Sequence, residues 1–149
     1  MKKNFINTSW LRLFALFLFA GAVYGCSPAT QAVKRGDELL EMKNYYGASE
    51  QYLYALRLEA DHKDAKKKLC QTAKQAYDQK YEMAAGYEKS SDYESALLQY
   101  TDLASLISQL NSYNCLNFAP VNAAQKINEM KSSASEKFYR EAEQYNCFL

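Results

Sequence analysis

Apolar residues follow two different patterns along this chain. From Leu13 to Val23 they form an unbroken run of 11 residues. Beyond Ala29 they return at intervals of three and four, the period of a helix that buries one face. The first such stretch, 31–43, carries Ala32, Val33, Leu39, Leu40 and Met42, with Gly36 between the stripes. Asn44 is suited to cap a second helix over about 45–60, with Tyr45, Ala48, Tyr52, Ala55, Leu56 and Leu58 in phase. Asp61, with Asp64 as a box-like partner, is expected to cap a long third helix. Its apolar face runs through Ala65, Leu69, Ala73, Ala76, Tyr77, Tyr81, Ala84 and Tyr87 to Lys89, about 40 Å of helix. Ser91 to Glu94 reads as a capping box, so a fourth helix begins at Asp92. It continues through Ala96, Leu97, Tyr100, Leu103, Leu106 and Ile107 to about Leu110. Residues 111–119 form the one sizeable loop, and Pro120 suits the first turn of a fifth, long helix. That helix places Ile127, Ala134, Phe138, Ala142 and Tyr145 on one face. Five helices with short turns predict an all-α fold of antiparallel helical hairpins.

Within this pattern lies a repeat. Gly36, Leu39, Ala48, Tyr52 and Ala55 are matched in type and spacing by Ala84, Tyr87, Ala96, Tyr100 and Leu103, 48 positions later. Tyr45 and Tyr93 match at the same interval. The spacing resembles the tetratricopeptide repeat, over residues 29–62 and 77–110. The resemblance implies a short solenoid in which these ten residues form the packing between paired helices. Phe138, Ala142 and Tyr145 read as the first helix of a third unit that has no second helix to follow. The closing proline of the family is replaced by Ala60 and Ser108, and its early aromatic by Ala32 and Lys80. The 14 extra residues between the units are close to four helical turns, so they lengthen the third helix without rotating its buried face.

The early apolar run is too short for a membrane span, which needs roughly 20 apolar residues. Preceded by Lys2, Lys3 and Arg12, it reads as the core of a secretory signal. Val23-Tyr24-Gly25-Cys26 resembles the bacterial lipobox. That resemblance implies cleavage after Gly25, a covalent lipid on Cys26 as the one attached group, and a membrane-anchored envelope protein. Ser27, being non-acidic, implies an outer-membrane destination facing the periplasm. The expected organisation is therefore a signal at 1–25, a lipidated tether at 26–30 and a helical-repeat domain at 31–149. An ordinary signal releasing soluble protein is the alternative.

Removing the signal leaves 15 basic against 17 acidic residues, a balance that argues against nucleic acid. Cys70 falls on an apolar stripe, where a buried free thiol is expected. Cys115 and Cys147 lie in a loop and near the C-terminus, where a bridge between molecules is the alternative. His62 has no neighbouring ligands in sequence and reads as a solvated residue at a helix start, so no metal site is expected. The chain contains no glycine-rich phosphate loop, nucleophile elbow or CxxC motif. No catalytic residue and no cofactor are therefore assigned.

Lys63, Lys66, Lys67, Lys68 and Lys74 make a basic patch, either a solvated face or a contact for anionic headgroups or an acidic partner. By the tetratricopeptide resemblance, the inner helix face holds peptides or proteins. On this chain it comprises Val33, Asp37, Leu40, Glu41, Asp78, Tyr81, Ala85 and Glu88. The expected function is a non-catalytic protein-interaction adaptor in the envelope, with an envelope protein or peptide segment as partner. A self-associating structural subunit and a periplasmic carrier or enzyme are the alternatives.

Overall fold

The computed structural model describes residues 27–146, so the signal, Gly25, Cys26 and residues 147–149 lie outside it. Among the described residues the fold is all-helical. The elements are α1 (Pro28–Glu41), α2 (Tyr45–Leu58), α3 (Lys63–Lys89), α4 (Tyr93–Ser112) and α5 (Ala123–Asn146). Each helix packs on the next in the chain, α1 on α2, α2 on α3, α3 on α4 and α4 on α5. No described helix is long and apolar enough to cross a membrane.

The same turn joins both short hairpins. Lys43 and Ser91 adopt left-handed backbone conformations, φ 58° and 59°, at equivalent positions of the two units. Lys43 N–H donates to Leu40 O and Asn44 N–H to Leu39 O, while Ser91 and Asp92 donate in the same way to Glu88 and Tyr87. These bonds satisfy carbonyls that a helix end leaves open. The next helix is then capped by Asn44 Oδ1, accepting from Gly47 N–H at 3.0 Å, or by Asp92 Oδ1, accepting from Ser95 N–H at 3.2 Å. Asn114, φ 56°, closes α4 likewise, with Cys115 N–H on Leu110 O.

Several expected boundaries move. Ser27 caps α1 and Ala29 is buried, so residues 27–30 belong to the folded domain rather than to a tether. His62, not Asp61, caps α3; its Nδ1 accepts from Ala65 N–H at 3.2 Å. At α4 the cap is Asp92 alone, because Ser91 is spent on the left-handed turn. Asn122 caps α5 through Gln125 N–H, and Pro120 stays in the loop.

The 27-residue α3 is continuous and serves both units. Its single buried face starts at Ala65, Leu69 and Ala73, which pack with α1 and α2. The same face ends at Tyr77 and Ala84, which pack with α4 and α5. Leu106 and Leu110 of α4 reach back into the first cluster, so the two units share one wall. Gln79 locks the register, accepting from Tyr46 N–H at 2.8 Å and donating to Lys43 O at 3.1 Å.

Cys70 and Cys115 form a disulfide, Cα atoms 4.5 Å apart, joining α3 to the loop after α4. This corrects both the free buried Cys70 and an intermolecular role for Cys115. The spacing of 45 residues hid the pair, because only the antiparallel return of α4 brings the loop beside the start of α3.

Of the ten repeat-packing residues, eight are buried: Gly36, Ala48, Tyr52, Ala55, Ala84, Ala96, Tyr100 and Leu103. Leu39 is half-buried against the first cluster, and Tyr87 is 37% exposed and belongs to neither buried cluster. The closest approach is at Gly36, where an added Cβ would lie 2.4 Å from Tyr52 Cε1. Gly36→Val is therefore expected to cost about 1–3 kcal/mol in a urea melt, by forcing a fully buried tyrosine off its rotamer. Gly86→Ala, with open space around it, is expected to be neutral or to gain up to about 1 kcal/mol.

Candidate partner-binding surface

The inner face expected from the repeat is largely occupied by the molecule's own contacts. Val33 is buried in the first core cluster and is not available to a partner. Asp37 Oδ1 accepts from the Tyr52 hydroxyl at 2.9 Å, and Lys68 Nζ closes on its other oxygen at 2.6 Å. Glu88 Oε2 accepts from the Tyr100 hydroxyl at 2.6 Å, and Lys126 Nζ lies 2.9 Å from Oε1. Each unit thus bridges its buried tyrosine to a lysine on the following helix through a carboxylate on the preceding one. The carboxylates are not at equivalent positions: the second has moved by three residues, still on the same side of its helix.

Both tyrosines are held neutral. Burial pushes the Tyr52 and Tyr100 hydroxyls up, and the hydrogen bonds to Asp37 and Glu88 push them further. Burial opposes the Glu88 charge, but the hydrogen bonds from Tyr100 and Lys126 outweigh it and hold the carboxyl below its ordinary value. The bond to Glu88 in turn raises Lys126 despite partial desolvation. Desolvation works against the Lys68 charge, and Asp37 and Asp64 overcome it, raising the lysine. These groups are structural struts, charged or neutral as the packing requires.

Asp78 pairs with Lys74 one turn earlier, its Oδ2 at 2.6 Å. Tyr81 stacks on Tyr77, ring centroids 6.0 Å apart, and tilts against Tyr100 at 6.4 Å, so it belongs mainly to the second cluster. Leu40 and Ala85 are half-buried, and Glu41 alone of the eight is both exposed and without an ion pair among the described residues. The geometry of this face fits packing within the fold better than recognition of a partner.

Lys80 holds a position where an aromatic is usual for the resembled family. Its side chain is buried, with Nζ 2.7 Å from Asp102 and 4.2 Å over the Tyr46 ring. The Tyr46 hydroxyl is pushed up to about 12, first by burial and then by Glu50 and Asp102. An ion pair tied to three helices locks α2, α3 and α4 together.

The open surface lies at the other end of the array. The first half of α5 packs on α4 through Ile127 and Met130. The second half overshoots its neighbour, leaving Phe138 61% and Tyr139 75% exposed. An open cleft of about 210 Å³ sits beside it, lined by Asp92, Tyr93, Glu94, Ala134, Lys137, Phe138 and Glu141. Lys137 Nζ spans the cleft to donate to Ser91 O at 3.3 Å. The spacing of Phe138, Ala142 and Tyr145 is the signal for this surface in the sequence, and among the described residues no later helix covers Phe138.

Among the described residues no cluster of His, Cys, Asp or Glu is placed to hold a metal. Comparison with family models, with curated proteins and with solved structures finds no match.

Proposed function

We propose that this chain is an envelope lipoprotein, anchored through Cys26, whose helical array is a non-catalytic adaptor. Its docking surface is the α4–α5 end, and its occupant is an amphipathic helix of another envelope protein. The observation that carries this reading is the exposed Phe138–Tyr139 edge of α5 beside an open cleft. The core face of each earlier helix is covered by the next helix, so the occupant that continues the pattern is itself a helix. Lys137 and Arg140 beside Glu94 and Glu141 ask for a partner carrying both signs of charge. The Cys70–Cys115 bridge supports the secretory part of the reading, because such bridges persist in oxidising compartments.

Native electrophoresis of mild-detergent extracts tests it. The wild-type chain is expected in a complex larger than itself, and Phe138→Asp is expected to run free. A surface change of this kind should alter stability by no more than about 0.5 kcal/mol. Tyr54→Asp, on the exposed face of α2, should leave the complex intact. Free migration of the wild type, or equal loss with both variants, would refute docking at this end.

A further inference from the structure

A second surface lies at the opposite end of the array, beside the anchor. Ser27, the residue after Cys26, is the cap of α1, so the proposed lipid attaches one residue before the folded domain. Helices α1 and α3 run parallel, since each packs antiparallel to α2. Their relative height follows from the Asp37–Lys68 contact at 2.6 Å. Asp37 is ten residues beyond Ser27 and Lys68 five beyond Lys63. At 1.5 Å per residue, the backbone of Lys63 therefore stands about 7 Å above the level of Ser27 and those of Lys66 and Lys67 about 12–14 Å, distances that side chains leaning toward the helix N-terminus shorten by several Å.

Of the five lysines in this region, Lys68 is tied to Asp37 and Asp64, and Lys74 to Asp78. Lys63, Lys66 and Lys67 remain exposed, and among the described residues none has a carboxylate within ion-pair distance. They share one side of α3 at i, i+3 and i+4 spacing. Their position in its first turns is unfavourable to the helix dipole, so local helix energetics do not explain them. The acidic residues nearest them in sequence are Glu59, Asp61 and Asp64, of which Asp64 pairs with Lys68. The array's other end mixes Glu136, Glu141 and Glu143 with Lys131, Lys137 and Arg140, whereas Lys63, Lys66 and Lys67 form a single-sign cluster beside the start of α1.

We infer that Lys63, Lys66 and Lys67 rest against anionic phospholipid headgroups of the membrane that holds Cys26, and so fix how the array stands on it. This rests on the reading of Cys26 as acylated. A lysine near an anionic surface contributes about 1 kcal/mol, within a screening length of about 8–10 Å. With the anchor supplying attachment, the lysines need only set orientation, standing the α4–α5 docking end away from the bilayer.

The test uses the acylated full-length mature protein in two vesicle types, phosphatidylcholine alone and phosphatidylcholine with phosphatidylglycerol. A water-soluble amine-acetylating reagent is applied and each lysine's rate is read by mass spectrometry. Lys63, Lys66 and Lys67 are expected to react at least about threefold more slowly on the anionic vesicles, with the difference erased in 0.5 M salt. Lys89 and Lys131 are expected to react alike on both. Equal rates for the three lysines on both vesicles, with the protein floating on each, would overturn the lysine contact while leaving the anchor reading intact. An unmodified Cys26 peptide and a protein that floats on neither would overturn both. Protection in native envelopes but not on vesicles would assign the patch to an acidic protein and overturn the lipid contact.

Discussion

Replacing both Cys70 and Cys115 with alanine is expected to destabilise the domain by about 4 kcal/mol, the loop-closure entropy released when a bridge of this span is lost. The bridge spans a sequence separation of 45 residues, which takes in most of α3 and all of α4. It ties the loop after α4 to the start of α3, where Leu106, Leu110 and Cys115 complete the first core cluster. For a domain of this size the loss corresponds to roughly 15 °C in midpoint temperature. Calorimetry of the oxidised and reduced protein measures it directly. The single replacements should each match the double one, because either breaks the same bond. A shift of only a degree or two would mean that the loop stays docked without its bridge.

The second large effect is an asymmetry within one ion pair. Asp102→Ala leaves Lys80 buried among α2, α3 and α4 with only the Tyr46 ring for its charge. Removing one partner of a buried pair costs about 3–5 kcal/mol, and the ring at 4.2 Å places the expected loss at the lower end, about 3 kcal/mol. Lys80→Met keeps the apolar stem and discards the charge. It leaves behind Asp102, whose side chain is 40% exposed and can be hydrated. Its expected cost is below about 1 kcal/mol. Urea denaturation of the two variants decides the matter. Equal losses, or a larger loss for Lys80→Met, would show that the cation is not the group the fold must neutralise.

What could be read from the sequence follows from how local the responsible physics is. The caps at Asn44 and Asp92 were legible because a short polar side chain before an apolar stripe satisfies the helix's first N–H groups within three residues. The 48-residue repeat was legible through Gly36 facing Tyr52 and Ala84 facing Tyr100, where small and aromatic residues make one contact between them. The sequence points to Asp61 rather than His62 as the α3 cap because a carboxylate does that work more often than an imidazole nitrogen. Non-local facts were out of reach. The pairing of Cys70 with Cys115 depends on where α4 returns. The burial of Lys80 depends on Asp102 and Tyr46 arriving from two other helices.

The expected inner face shows a different failure. Charged residues in helical phase looked available for recognition, but Asp37 and Glu88 each bind a buried tyrosine and a lysine from another helix. A mixed apolar and acidic stripe does not reveal whether its charges face a partner or complete the fold. The Phe138 stripe is the better guide, because it marks apolar surface that no described helix covers.

A photo-crosslinking residue at Tyr139, introduced into the full-length protein in cells, tests the docking surface most directly. The expected result is one discrete adduct with another envelope protein, mapping to an amphipathic helix of that protein and abolished by Phe138→Asp. Adducts only between copies of the chain would replace the adaptor with a self-assembling subunit. No adduct at Tyr139, with a discrete one at Glu41, would contradict the assignment and return recognition to the inner face.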